Sequence, residues 1–184
     1  DLNVISQKEV IFMKVIKQKL AHITNYRKNR LQPIEYIVIH YTANNGDTSL
    51  NNANYFANNK NLQSSAHYFV DENEIYQSVL DSDTAWHCGT TGAYKHPKCR
   101  NHNAIGIELC SRKDSMGNYY FDDKTVENAI KITLYLMDKY NIPVDKVIRH
   151  FDVTGKNCPA PFVKDESKWM VFKNRIIKEV IDMA

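Results

Sequence analysis

The first long apolar run, Ile34 to His40, opens after Pro33 and is broken only by Glu35. A nearly continuous run of this length predicts a central strand covered on both faces, and Ala104 to Cys110 predicts a second one. Between them Asn44-Asn45-Gly46-Asp47 is a turn, and Thr48 or Ser49 caps a helix that places Ala53, Phe56 and Ala57 on one face. His67 to Val70 and Ile75 to Val79 flank Asp71-Glu72-Asn73-Glu74, the pattern of a hairpin. After a turn at Asp114 to Asn118, the spacing of Val126, Ile130, Leu134 and Met137 predicts a helix capped near Asp122 or Asp123. Asn141-Ile142-Pro143 stops it, and Val144 to Ile148 reads as a short strand that delivers His150. A closing helix starts near Asp165 or Ser167 and carries Trp169, Phe172, Ile176, Val180 and Met183 on one stripe. Strands interleaved with helices imply an α/β fold, a single domain with a central mixed β-sheet flanked by helices.

Two stretches lack such a pattern. Asp81 to Asn103, with Gly89, Gly92 and Pro97, is a long irregular segment of the kind that carries function in a small domain. Lys14 to Gln32 is basic, with Tyr26-Arg27-Lys28-Asn29-Arg30 near its end, and reads as a solvated arm packed across the surface. This divides the chain into an N-terminal arm, residues 1–33, and a folded domain, residues 34–184. Residues 1–12 mix charges into their apolar positions and offer no small-residue cleavage site, so they do not read as a signal peptide. Met13-Lys14 looks like an alternative start, which would make residues 1–12 a leader or an added remnant.

With 184 residues, 43% of them apolar, the chain can bury one core. A net charge of +3 is too small to argue for a nucleic-acid partner, though it suits polyanionic surfaces such as bacterial wall polymers. No run is long enough to span a bilayer. Cys88, Cys99, Cys110 and Cys158 are scattered without a CxxC pair, so no disulfide framework or structural zinc knuckle is indicated. A Cys88 to Cys99 bridge is conceivable across the intervening loop, with buried free thiols the favoured reading.

Candidate chemistry concentrates in Arg149-His150-Phe151-Asp152-Val153-Thr154-Gly155-Lys156-Asn157-Cys158-Pro159, read as a short irregular segment. His150 and Cys158 are donors that suit Zn²⁺, and His40, closing the first apolar run, is the best third ligand elsewhere. Three protein ligands leave one tetrahedral position open, the arrangement of a catalytic zinc. Glu108 within an apolar strand needs a reason, because burying a carboxylate without a partner is costly.

Five segments in order resemble the successive motifs of the type 2 N-acetylmuramoyl-L-alanine amidases, a family that includes phage lysozyme-type amidases, autolysins and peptidoglycan recognition proteins. They are Ile37-Val38-Ile39-His40-Tyr41-Thr42-Ala43, Ser65-Ala66-His67-Tyr68, Ala85-Trp86-His87, Asn103-Ala104-Ile105-Gly106-Ile107-Glu108, and His150 with Lys156-Asn157-Cys158-Pro159. The resemblance covers about residues 34–180 and implies a peptidoglycan-recognition-protein-like fold. It also implies a zinc enzyme that cuts the amide between the lactyl group of N-acetylmuramic acid and L-alanine of the peptidoglycan stem peptide. On this resemblance His40, His150 and Cys158 hold one Zn²⁺, Glu108 is the catalytic carboxylate and Lys156 stabilises the oxyanion. Some relatives carry Asp at the third ligand position, where this chain has Cys158. Others place Tyr just before the residue matching His67, where this chain has Ala66, which shifts acid and base work onto Glu108.

His67 and His87 are expected to line the groove or to support ligands through hydrogen bonds, and Trp86, Tyr41 and Tyr68 are candidates for stacking on sugar or peptide. The expected setting is a phage or prophage endolysin, made in the cytoplasm and released onto the wall at lysis, or an autolysin. Two rivals stand beside it. A wall-binding module without activity is disfavoured by the full ligand set together with Glu108. A cysteine peptidase using Cys158 and His150 is disfavoured because Pro159 and the absence of an expected helix start leave the thiol no helix N-terminus to lower its pKa.

Overall fold

Ile37, Val38 and Ile39 have no contact with water on either side of the chain, so the strand that holds them must be covered on both faces. The computed structural model describes residues 15–184, and the readings of residues 1–12 and of Met13-Lys14 lie outside the described residues. Six strands form one sheet in the order β1 (Ile16–Gln18), β5 (Ile75–Gln77), β4 (Tyr68–Val70), β7 (Ala104–Leu109), β3 (Tyr36–Tyr41) and β10 (Val147–Arg149). Every neighbouring pair is parallel except the β4–β5 hairpin, so the sheet is mixed. Two short antiparallel pairs lie apart from it, β2 (Tyr26–Arg27) with β6 (Thr84–Ala85) and β8 (Arg112–Lys113) with β9 (Tyr119–Tyr120).

The two faces follow from the two-residue period of a strand. Ile37 and Ile39 of β3, with Ile105, Ile107 and Leu109 of β7, face one way, against α2 (Asp123–Tyr140) and α5 (Glu166–Met183). Ile130, Leu136, Trp169, Phe172 and Ile176 supply the facing apolar surface, at about 1.5–3 kcal/mol for each large side chain buried. Tyr36 and Val38 face the other way, packed with Ile148, Cys88, Cys99 and Val153 beneath the irregular segment and α3 (His150–Thr154). On that same face α1 (Ser49–Asn58) sets Ala53 and Phe56 on Phe69 of β4. The short α4 (Ala160–Lys164) leads into α5. A central mixed sheet flanked by helices is the expected architecture, and no described helix is long and apolar enough to cross a membrane.

Caps fall where the sequence places them. Thr48 accepts from the Asn51 amide while the Asn51 side chain accepts from the Thr48 amide. Asp122 caps α2, and Asn141 ends it in the left-handed conformation at φ 52°. Four expectations need correction. Residues 15–33 are not a solvated arm: β1 adds an edge strand, β2 pairs with β6, and Ala21 and Asn25 are buried. Val144–Lys146 is a 3-10 turn closed by the Lys146 amide on the Pro143 carbonyl, so the strand starts only at Val147. The tail from Arg149 is not irregular throughout, because Asp152 caps the first turn of α3 by accepting from the Arg149 amide. Val180 and Met183, expected on the buried stripe, are 44% and 66% exposed at the end of α5.

Asp71 joins α1 to the hairpin. Its buried carboxylate accepts from the amide and hydroxyl of Ser49 at the start of α1 and from the amides of Asn73 and Glu74 in the turn. Removing it orphans donors at both ends. Asp71→Ala is expected to lower the unfolding free energy by about 2–4 kcal/mol, read as a lower urea midpoint at constant slope. An unchanged midpoint would refute this role.

Candidate metal centre and cavity

His40 and Glu108 are partners in the β3–β7 register, the even positions of both strands facing the layer that holds α1, α3 and the irregular segment. His150 follows β10 as the first residue of α3, and Cys158 lies eight residues on, just before α4. The Phe151 amide donates to the Cys158 carbonyl at 2.9 Å, folding that segment back on α3. One donor atom from each of His40, His150 and Cys158 then lies within 4.8 Å of the others, and all three side chains are buried. His40 Nδ1 is 3.7 Å from Cys158 Sγ, and the His40 and His150 rings meet edge to face at 4.8 Å. His150 Nδ1 is buried with no hydrogen-bond partner among the described residues, an orphaned lone pair or proton that a metal ion would satisfy.

Burial sets the protonation of the cluster. It holds His40 well below the usual imidazole range, helped by His87, His150 and Lys156, and it pulls His150 down to about 3, helped by Lys156. Both imidazoles are therefore neutral ligands at neutral pH. Burial also pushes the Cys158 thiol up to about 12, with Glu108 adding to the rise and the Tyr41 amide and Lys156 opposing it. A metal bound here must displace that proton. Glu108, half-buried on the cavity wall, is raised to about 8 by desolvation, with Lys156 opposing and Asp47 adding.

These groups line a cavity of about 590 Å³ that runs from His40, His150, Cys158, Glu108 and Lys156 past Tyr41, Trp86 and His87 to Tyr55 and Phe56 of α1. Lys156 is exposed at its edge. Two groove candidates fall outside it and need correction. His67 is fully buried: Gly106 N–H donates to its Nδ1 at 3.1 Å, and its Nε2 lies 3.0 Å from the Asp83 carbonyl and 2.9 Å from Arg30 Nη2. Tyr68 is buried on the opposite face of β4 and donates to Asp81 at 2.6 Å. Strand alternation turns Tyr68 away from the cavity, whereas His67 shares the face of the cavity-lining Phe69 but is covered there, its ring 5.9 Å from that of His87.

Several residues that build the site were not legible as such. Arg149 is buried and makes a bidentate pair with Asp152, and it also donates to the Phe162 carbonyl and to Glu166, fixing the turn that presents His150. Arg30 donates to the carbonyls of Asp81, His102 and Ala104, pinning both ends of the irregular segment. Lys95 lies over Phe151 at 4.8 Å and against Gly155, whose φ of +84° favours glycine. Asp47, read only as a turn residue, lines the cavity and accepts from Thr42, Asn44 and Asn52. A buried arginine has no local pattern to betray it. Contrary to expectation, a helix does start just after Cys158, with Pro159 as the N-cap of α4. The thiol stays protonated there because burial outweighs a five-residue helix.

A mixed sheet thus carries, on the wall of an open cavity, a buried three-donor cluster that could hold a metal ion. The N-acetylmuramoyl-L-alanine amidase family model matches residues 30–161, and the chain belongs to that family. It is 33% identical over 174 residues to the N-acetylmuramoyl-L-alanine amidase CwlL of Bacillus licheniformis, covering 89% of this chain and 47% of that protein. It is 35% identical over 178 residues to the amidase BlyA of Bacillus subtilis, again 89% of this chain and 47% of the relative. The chain thus spans about half the length of these curated relatives. Among solved structures, the catalytic domain of XlyA matches with a TM-score of 0.72 at 30% identity, over 88% of this chain and 98% of that one.

The raised carboxyl has a testable sign. A folded-state pKa near 8 against an ordinary 4.5 means that the metal-free fold holds a proton on Glu108 that the unfolded chain releases, so this stability is present below about pH 4.5 and lost as pH rises toward 8. Glu108→Gln is expected to gain stability relative to the wild type across that window and to level off above it, measured by urea unfolding of metal-free proteins. A pH-independent difference would refute the assignment.

Proposed function

We propose that this chain is a zinc-dependent N-acetylmuramoyl-L-alanine amidase, hydrolysing the amide between the lactyl group of N-acetylmuramic acid and L-alanine of bacterial peptidoglycan. The observation that carries the reading is the convergence of His40, His150 and Cys158 within 4.8 Å, on a cavity wall shared with Glu108. Two imidazoles and a thiol are a donor set that fits Zn²⁺. When bound, the metal supplies the charge that polarises an amide carbonyl and acidifies water to a pKa of about 7.

The protein's own groups do the rest. Glu108, on the cavity wall beside the donor cluster, would in its ionised form take the proton of a water held there and return it to the departing nitrogen, a task that contributes on the order of 10² to 10⁴ in rate. Lys156, exposed at the cavity edge and acting electrostatically on His40, His150, Cys158 and Glu108, faces developing negative charge on the carbonyl oxygen. Trp86, Tyr41 and His87 give the walls apolar surface with polar tips, suited to a glycan carrying a short peptide. A complex of the Escherichia coli amidase AmiD with anhydro-N-acetylmuramic acid-L-Ala-D-γ-Glu-L-Lys is similar in fold, with a TM-score of 0.52 at 27% identity over 69% of this chain and 52% of that one. A mutant endolysin from Bacillus subtilis matches at 30% identity and a TM-score of 0.72, over 88% of this chain and 97% of that one, which supports a lytic role at the wall as endolysin or autolysin.

Purified wall treated with the protein is expected to release new L-alanine amino termini, and mass analysis of the fragments identifies the severed bond. A protein that binds wall and releases none is a binding module, and the amidase reading fails. His40→Ala is expected to lose both stoichiometric zinc and activity. Glu108→Ala is expected to keep its zinc while turnover falls by about 10² to 10⁴, and Lys156→Ala to lose about 10² in turnover. Near-normal turnover in either variant removes that residue from the mechanism.

A further inference from the structure

His87 is held on the cavity wall by contacts whose purpose the cavity alone does not explain. The amides of His87 and Cys88 both donate to Asn101 Oδ1, at 3.0 and 2.8 Å, fixing the backbone that carries the ring. The ring lies on the backbone of β7 at Gly106, where an added Cβ would stand 2.6 Å from His87 Cγ and 2.8 Å from Nδ1. Glycine weakens the interior of a buried strand and often marks a close approach, and here it clears the space the imidazole fills. So seated, His87 Nδ1 is 2.9 Å from His40 Nε2, with the two rings nearly perpendicular at 84°.

His40 meets the donor cluster through its other nitrogen, since Nδ1 is the atom 3.7 Å from Cys158 Sγ. A neutral imidazole carries one proton, so Nδ1 can offer a lone pair to a metal only if the proton resides on Nε2. His87 Nδ1 is then the acceptor of that proton, and His87 must carry its own on Nε2, which has no competing partner among the described residues. We infer that His87 is a positioning residue: it holds His40 in the tautomer and ring orientation that present Nδ1 to the metal, and Gly106 exists to let it do so. This inference rests on the metal-site reading above.

Zinc affinity of the full chain, measured by competition with a chromophoric chelator after stripping, tests it. His87→Leu, which removes the acceptor, is expected to weaken zinc binding by about 10 to 100-fold, and Gly106→Ala to do the same by displacing the ring. His87→Asn, whose Oδ1 stands where Nδ1 does, is expected to restore affinity close to wild type. The Co²⁺-substituted proteins should show the same ranking, with altered visible bands in the His87→Leu and Gly106→Ala variants and not in His87→Asn. A folded His87→Leu protein with wild-type affinity overturns the inference and leaves the metal site standing. A wild-type protein that binds no zinc overturns both. Should the variants not fold, long-range ¹H–¹⁵N spectra of the zinc-loaded wild type decide: the proton is expected on Nε2 of both His40 and His87, and a His40 proton on Nδ1 overturns the inference.

Discussion

The chemistry of this molecule depends on the parallel register of β3 against β7. Pairing Ile37 with Ile105 and Ile39 with Ile107 commits those side chains to the layer under α2 and α5. Period-two alternation then sends His40 and Glu108 together to the other face. A slip of one residue would put an imidazole and a carboxylate among Ile130, Leu136 and Phe172 while exposing isoleucines to the cavity. The cost of burying unpaired polar groups, several kcal/mol each, makes that alternative uncompetitive. The hydrophobic demand of one face therefore positions the reactive groups of the other.

The rest of the site face is built from short or irregular pieces, which cannot rely on sheet or helix ladders to satisfy their backbones. Arginine and asparagine side chains take over that task. Arg30 collects three carbonyls, Asn101 two amides, and Arg149 two carboxylates and a carbonyl. The Arg149 side chain is 7% exposed, against 55% for Lys17 in its pair with Glu74. Only the first is shielded enough to hold a turn in place, since exposed pairs contribute about 0–1 kcal/mol.

Desolvation dominates the electrostatics of the cluster and drives every member toward neutrality, imidazoles down and acids up. Lys156 opposes it at Glu108 and Cys158 and reinforces it at the two histidines. The result is a site with lone pairs ready, one thiol proton to release on binding a cation, and a carboxyl balanced near neutral pH. Asp47, which also lines the cavity, raises Glu108 further and belongs to the same balance.

Apolar runs and caps made the strands, α1 and α2 legible, because burial and hydrogen-bond satisfaction leave local periodic marks. The donor set was legible because imidazole, thiol and a carboxylate inside an apolar strand are chemically conspicuous. Residues 15–33 were misread because the local charge of Tyr26 to Arg30 says nothing of the carbonyls Arg30 meets 51 to 74 residues away. By itself the sequence determined the periodicity, the two buried strands and the kinds of atom available to a metal. Only the tertiary structure decided which of the 7 histidines converge, that His67 is a core residue while His87 backs His40, and which nitrogen of His40 faces Cys158. Those outcomes turn on ring orientations and ångström distances between groups as far as 118 residues apart in the chain, which no local pattern encodes.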